Sequence, residues 1–182
     1  MVKSMLLTLT TQAASASFAF QSPVHTPNGT AEIQNFRIGD PVIKVTPGDA
    51  GAMKLSTERV NFSSGTSEQN RQTMVYLVYG NDQSVIATPD QLFLLSSGKL
   101  KRADQLVLGL DRLVAPDGSS VEIYLISIGT YQGGVHHIAI NGSSADGNLI
   151  VVSGVVVGDY AKQIHYHGGD QSNQPSMGTA EY

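Results

Sequence analysis

Residues Ser15–Gly29 read SASFAFQSPVHTPNG. Two features of this stretch set the reading of the whole chain. Ala14-Ser15-Ala16, just ahead of Ser17, has the small-x-small form that precedes a secretory cleavage point. Thr26-Pro27-Asn28-Gly29 is a tight turn, with Pro fixing φ and Asn-Gly tolerating positive φ. Upstream, MVKSMLLTLTTQ carries Lys3 and a modest apolar run, interrupted by Thr8, Thr10, Thr11 and Gln12. It reads either as a signal-like leader or, from its partial alternation, as a leading β-edge strand.

The chain has 182 residues, enough for one domain with a real core. Apolar residues make up 41% and charged residues only 14%. The apolar ones are mainly Val, Ile and Leu in short runs broken by Gly, Pro, Asn and Asp, the pattern of many short strands and turns. The net charge is −4, and the basic residues are scattered apart from Lys99, Lys101 and Arg102, so nothing resembles a nucleic-acid footprint. The chain has no Cys, which excludes disulfides, thiolate metal sites and a Cys nucleophile. The compartment stays open, with secretion compatible with the start of the chain. No apolar run reaches the length of a membrane-spanning helix.

Beyond Gly29 the chain reads as strand upon strand. AEIQNF and DPVIKVT are divided by an Arg37-Ile38-Gly39 turn, Glu58 to Phe62 is a short strand, and Ser63 to Arg71 is a polar loop. MVYLVYG and SVIATP flank a hairpin turn at Asn81-Asp82. A Ser97-Gly98 turn, a helical or turn segment near Ala103–Leu106, and a hairpin turned at Pro116-Asp117-Gly118 follow. GVHHIAI and NLIVVSGVVVGDYA close the series around the loop NGSSADG. No stretch of helical period exceeds about three turns. No tandem repeat of 20–50 residues is visible. The expectation is an all-β domain over 17–164, preceded by a 1–16 leader or N-terminal extension and followed by a polar, flexible 165–182 tail.

The order of these segments resembles that of the hedgehog/intein (Hint) family in its bacterial form. SFAFQSPVHTPNGTAEIQNFRIGDPVIKV is similar to the family's opening: Ser17 stands in the nucleophile place, Ser22-Pro23-Val24 and the TPNG turn follow, and Ile38-Gly39-Asp40 leads to Val42. VIATPDQLFLLSSGKLKRADQLVLGLDRLV resembles the second motif, where a T-x-x-H sequence opens a strand. Thr88 is present, Gln91 stands where the His would be, and Gly109-Leu110-Asp111 occupies the Gly-Asp place. GVHHIAINGSSADGNLIVVSGVVVGDY resembles the closing strand pair, with Gly158-Asp159 where inteins carry His-Asn. The resemblance spans roughly Ser17 to Gln163. It implies an all-β, horseshoe-like disk of short strands with pseudo-twofold symmetry and few or no helices.

It also implies a chemistry. In such domains the nucleophile attacks the preceding carbonyl in an N-to-S or N-to-O acyl shift, here Ser17 on Ala16, with Thr88 as hydrogen-bonding partner. Gln91 can position a peptide but cannot carry a proton near neutral pH. A Ser hydroxyl needs a base beside it, for which Asp90, His25, His136 and His137 are the candidates. If extended, residues 88 and 90 share a face, although Pro89-Asp90 also reads as a plain turn. Asp159 lacks the amide nitrogen that intein release requires, and Gly158 replaces the assisting His. The expected function is therefore a degenerate Hint domain serving as a binding or assembly module, with two alternatives: cis autoprocessing at Ala16–Ser17, which would act once, or a β-rich secreted structural protein. The partners would be proteins or the chain's own flanks. A Ser substituted for an original Cys would also explain Ser17.

Other constellations are simpler. His165 and His167 project to one face if extended, and His136 or His137 could add a third metal ligand. The plainer reading is a V-H-H-I strand with one His on each face, followed by surface tail. No cofactor is expected. Asn28-Gly29-Thr30, Asn61-Phe62-Ser63 and Asn141-Gly142-Ser143 match the N-glycosylation pattern, and the two Asn-Gly pairs are turn formers.

Overall fold

The computed structural model describes residues 16–66, 69, 71–142, 144 and 146–166. Residues 1–15, which hold most of the expected leader, and the tail from 167, including His167, lie outside the described residues. In chain order the elements are β1 (Phe18–Ala19), β2 (Pro23–Thr26), β3 (Gly29–Glu32), β4 (Pro41–Pro47), β5 (Met53–Thr66), β6 (Arg71–Tyr79) and β7 (Gln83–Ala87). They continue with β8 (Leu92–Leu94), β9 (Leu100–Arg102), β10 (Arg112–Val114), β11 (Ser120–Gln132), β12 (Val135–Ile140), β13 (Leu149–Val152), β14 (Val155–Gly158) and the short helix α1 (Tyr160–Ile164). The strands join in the order β10-β11-β6-β7-β1-β12-β5-β4-β13-β14-β8-β9, with β2 pairing β3 and β13.

The fold is built from two related units. A hairpin, a 3-10 turn and a second hairpin occur as β2–β3, Ile33–Asn35 and β4–β5, and again as β8–β9, Ala103–Gln105 and β10–β11. Each unit enters its second hairpin through a loop closed by an Asp. Asp40 accepts from the Arg37 N–H at 2.8 Å, and Asp111 accepts from the Val107 N–H at 2.7 Å. That is the physical role of the two Gly-containing turns ending in Asp. The copies share few residues, so no sequence repeat betrays them.

The polar loop expected from Ser63 is strand as far as Thr66. β5 pairs β4 from Met53 to Arg59, then hands over to β12, where Val60 faces Ile140 and Thr66 faces Val135. Ser and Gly have poor strand propensity, and the ladder offered by β12 overrides it. The run IVVSGVVVG is a hairpin rather than one strand. Ser153 and Gly154 both take positive φ, 49° and 77°, as a two-residue hairpin turn requires. β13 and β14 are buried along their whole length, which explains why they read as unbroken apolar runs.

The main core gathers Val24, Ile33 and Val42 from the first unit, Phe93 and Leu113 from the second, and Phe18, Leu77, Ile138 and Ile150 between them. Side chains of this size stabilise by about 1.5–3 kcal/mol each when fully buried. Tyr79 is fully buried too, and its hydroxyl donates to the Ser153 carbonyl at 2.9 Å. Phe18 thus locks β1 into the middle of the sheet, one residue after Ser17.

Candidate functional site

Strand register builds the site. β1 lies between β7 and β12, with Phe18 opposite Ala87 on one side and His136 on the other. In antiparallel pairing the preceding residue, Ser17, then meets the residue after each of those, Thr88 and His137. The Ser17 N–H donates to Thr88 Oγ1 at 2.9 Å, and the Thr88 N–H donates to the Ser17 carbonyl at 2.9 Å. Ser17 Oγ lies 2.9 Å from His137 Nδ1. Ala16 and Ser17 are both buried.

Of the four candidate bases, His137 is the one beside Ser17. His136 points to the other face of β12, where its Nε2 lies 2.7 Å from Ser63 Oγ. His25 sits on β2 opposite Thr30. Asp90 belongs to a turn in which the Gln91 N–H donates to the Thr88 carbonyl, and its own carbonyl accepts from Gln163 Nε2. The plain Pro-Asp turn is thus what forms there. His137 is held at a pKa of about 4, first by burial and then by the charge of His136. It is therefore a neutral imidazole at neutral pH, which accepts through Nδ1 when its proton is on Nε2. Burial also lowers the pKa of His136 and His25.

Gln91 is almost fully buried, and its Nε2 donates to the carbonyls of Gly158, at 2.9 Å, and Leu92, at 3.2 Å. It ties the Thr88–Gln91 turn to the end of β14. Asp159 is buried as well. Its carboxylate accepts from the Asn148 and Lys162 N–H groups through Oδ1, at 3.0 and 2.8 Å, and from the Ile140 N–H through Oδ2 at 3.1 Å. It thereby caps α1 while holding β12 and the start of β13. A cavity of about 10 Å³, room for about one water, is bounded by Ala16, Gln91, His137, Gly158, Asp159 and Tyr160. The residues singled out at opposite ends of the sequence meet around it.

Sequence reasoning missed Phe62 and Tyr160, whose rings stack with His137. No motif marks them, because their roles depend on a strand and a helix converging from distant parts of the chain. His165 stands at the C-cap of α1 rather than in an extended strand. Among the described residues no group of three His, Cys, Asp or Glu side chains could hold a metal ion, and no helix is long and apolar enough to cross a membrane.

No protein-family profile matches the chain, and no curated protein matches it by sequence. Solved structures do. The chain is similar to a bacterial intein-like domain from Clostridium thermocellum, with a TM-score of 0.67 at 18% identity over 79% of this chain and 98% of that one. It is similar to a DnaB intein from Synechocystis, with a TM-score of 0.64 at 18% identity over 80% of this chain and 99% of that one. It is also similar to the gp41-1 intein, with a TM-score of 0.58 at 14% identity over 79% and 98%. At such identities the likeness is one of fold.

Proposed function

We propose that this chain, which folds as a Hint-type domain, cleaves itself once, in cis, at Ala16–Ser17 through an N-to-O acyl shift. The observation that carries the reading is the contact of 2.9 Å between Ser17 Oγ and the neutral His137 Nδ1. His137 takes the hydroxyl proton as Oγ attacks the Ala16 carbonyl carbon. The C–N bond then breaks, the Ser17 nitrogen receives that proton from His137, and Ala16 remains as an ester on Oγ. Water hydrolyses the ester, leaving the Ala16 carboxylate and a free Ser17 hydroxyl and amine. Thr88 Oγ1 accepts from the Ser17 N–H and so holds the leaving nitrogen in place. His137 thus fills the general-base role that Gln91 cannot. A positioned base of this kind contributes about 10²–10⁴-fold.

On this reading the C-terminal half of splicing is lost. Asp159 has no amide nitrogen to cyclise, and its carboxylate is engaged by backbone N–H donors. The working domain is 17–164, with 1–16 the segment released and 165–182 a tail. A second reading is a degenerate domain retained as a binding or assembly module. It is favoured by Gln91, whose amide is spent on two backbone carbonyls. Intact mass of the purified chain, with and without hydroxylamine, separates the two. A product beginning at Ser17, formed faster with hydroxylamine, is expected. A chain that keeps Met1–Ala16 under both conditions would sink self-cleavage and leave the module.

A further inference from the structure

The His137 ring lies flat on Tyr160, with centroids 4.2 Å apart and planes within 10°. Phe62, from β5, stacks on both, 5.1 Å from Tyr160 and 5.6 Å from His137. Three elements distant in sequence thus converge on one imidazole. Tyr160 opens α1 directly after Asp159, and α1 is pinned in several ways. The Asp159 carboxylate caps it, and Gln163 donates to the Asp90 carbonyl. The loop before β13 can approach the helix only because residue 147 is Gly. A Cβ there would sit 2.0 Å from the Lys162 backbone nitrogen.

An imidazole ring turns easily about its outer side-chain bond, whose torsional well is broad. Something must therefore hold Nδ1 on Ser17 Oγ, and the stacked rings are the groups that cover its face. We infer that Tyr160 is a positioning residue for the reaction at Ser17: its ring clamps the His137 imidazole so that Nδ1 faces Ser17 Oγ and keeps water off it. The segment after β14 then completes a site that begins at the other end of the domain. The inference rests on the acyl-shift reading for its role in cleavage, but its geometry is independent of it. The titratable groups around His137 are His136 on its own strand, Tyr160 on α1, and Asp159 across the small cavity. β5 contributes the uncharged Phe62, and the Thr88–Gln91 turn contributes the neutral Gln91 to the cavity.

The test follows the His137 ring by NMR across a pH titration in the full Ser17→Ala chain, which cannot cleave by this route. Tyr160→Phe keeps the stack and is expected to leave the midpoint near its starting value. Tyr160→Ala opens the ring to water and is expected to raise the midpoint by roughly one unit or more toward the ordinary 6.5. In the chain with Ser17 restored, the acid limb of the cleavage profile should move by the same amount, a loss of about twofold at a pH one unit above the original midpoint that grows to about tenfold one unit below it. Should Tyr160→Ala fail to fold, Tyr160→Ser, which likewise uncovers the ring, carries the same expectation. A His137 midpoint unchanged in the folded Ala or Ser variant overturns the inference. A parent chain that never cleaves removes the acyl-shift reading instead, and the titration distinguishes the two failures.

Discussion

β12 carries two neighbouring histidines, and each faces a serine across a hydrogen bond of similar length. Ser63 Oγ and His136 Nε2 are 2.7 Å apart, and Ser17 Oγ and His137 Nδ1 are 2.9 Å apart. The difference lies in where the hydroxyl proton goes. Ser63 already donates to the Phe36 carbonyl at 2.7 Å, so its single proton is committed and His136 must be the donor to Ser63 Oγ. That pair stitches β5 to the turn before β4. On the proposed reading His137 Nδ1 accepts from Ser17, whose backbone N–H and carbonyl are both held by Thr88. A Ser–His distance alone therefore does not identify a nucleophile. The destination of the proton does.

The largest expected difference is between the two serines. Ser17→Ala should abolish the product beginning at residue 17, while Ser63→Ala should leave it, as read by intact mass. Because Ala is well tolerated after a peptidase site, continued cutting in Ser17→Ala would assign the cut to a peptidase. Next in size, His137→Gln should slow cleavage by about 10²–10⁴-fold, whereas His136→Gln should change the rate by less than about threefold, the neighbouring charge being a secondary influence. If both substitutions slow cleavage equally, the distinction between the pairs collapses.

The pH dependence follows from the lowered pKa of His137. The base is neutral above about 4, so the cleavage rate should be flat through neutrality and fall about tenfold per unit below that midpoint. The same shift bears on stability. In the unfolded chain the imidazole titrates near 6.5, and folding lowers it, so the unfolded state binds the extra proton. Stability from this group is full above about 6.5 and is lost as pH falls towards about 4. Urea midpoints between pH 7 and pH 4 check the sign, and a rise on acidification in the wild-type chain relative to His137→Gln would refute it. The smallest effect is expected from Ser63→Ala on stability, a loss of about 1–2 kcal/mol from the orphaned Phe36 carbonyl, measured by denaturant unfolding.

Much of this was legible in the chain. The TPNG turn, the Asn81-Asp82 and Pro116-Asp117-Gly118 hairpins and the apolar closing runs identify a β domain of the Hint type, and the solved structures share that fold. Ser17, Thr88, Gln91 and Asp159 were visible as positions. The partner of Ser17 was not: of the four candidates Asp90, nearest Thr88 in the chain, was the one placed among the catalytic residues, and sequence distances carry no information about contact. β5 is longer than the Glu58–Phe62 strand expected: its start, from Met53, pairs with β4, and the Ser and Gly residues of its end take their strand pairing from β12. No motif assigns Phe62 or Tyr160 a part beside His137.

The sequence by itself determined the element series, because turn chemistry and apolar alternation act over a few residues and need no distant partner. Only the tertiary structure decided which histidine meets Ser17. That choice depends on β1 slotting between β7 and β12 in one register, and a slip of one residue would turn the opposite set of side chains towards it.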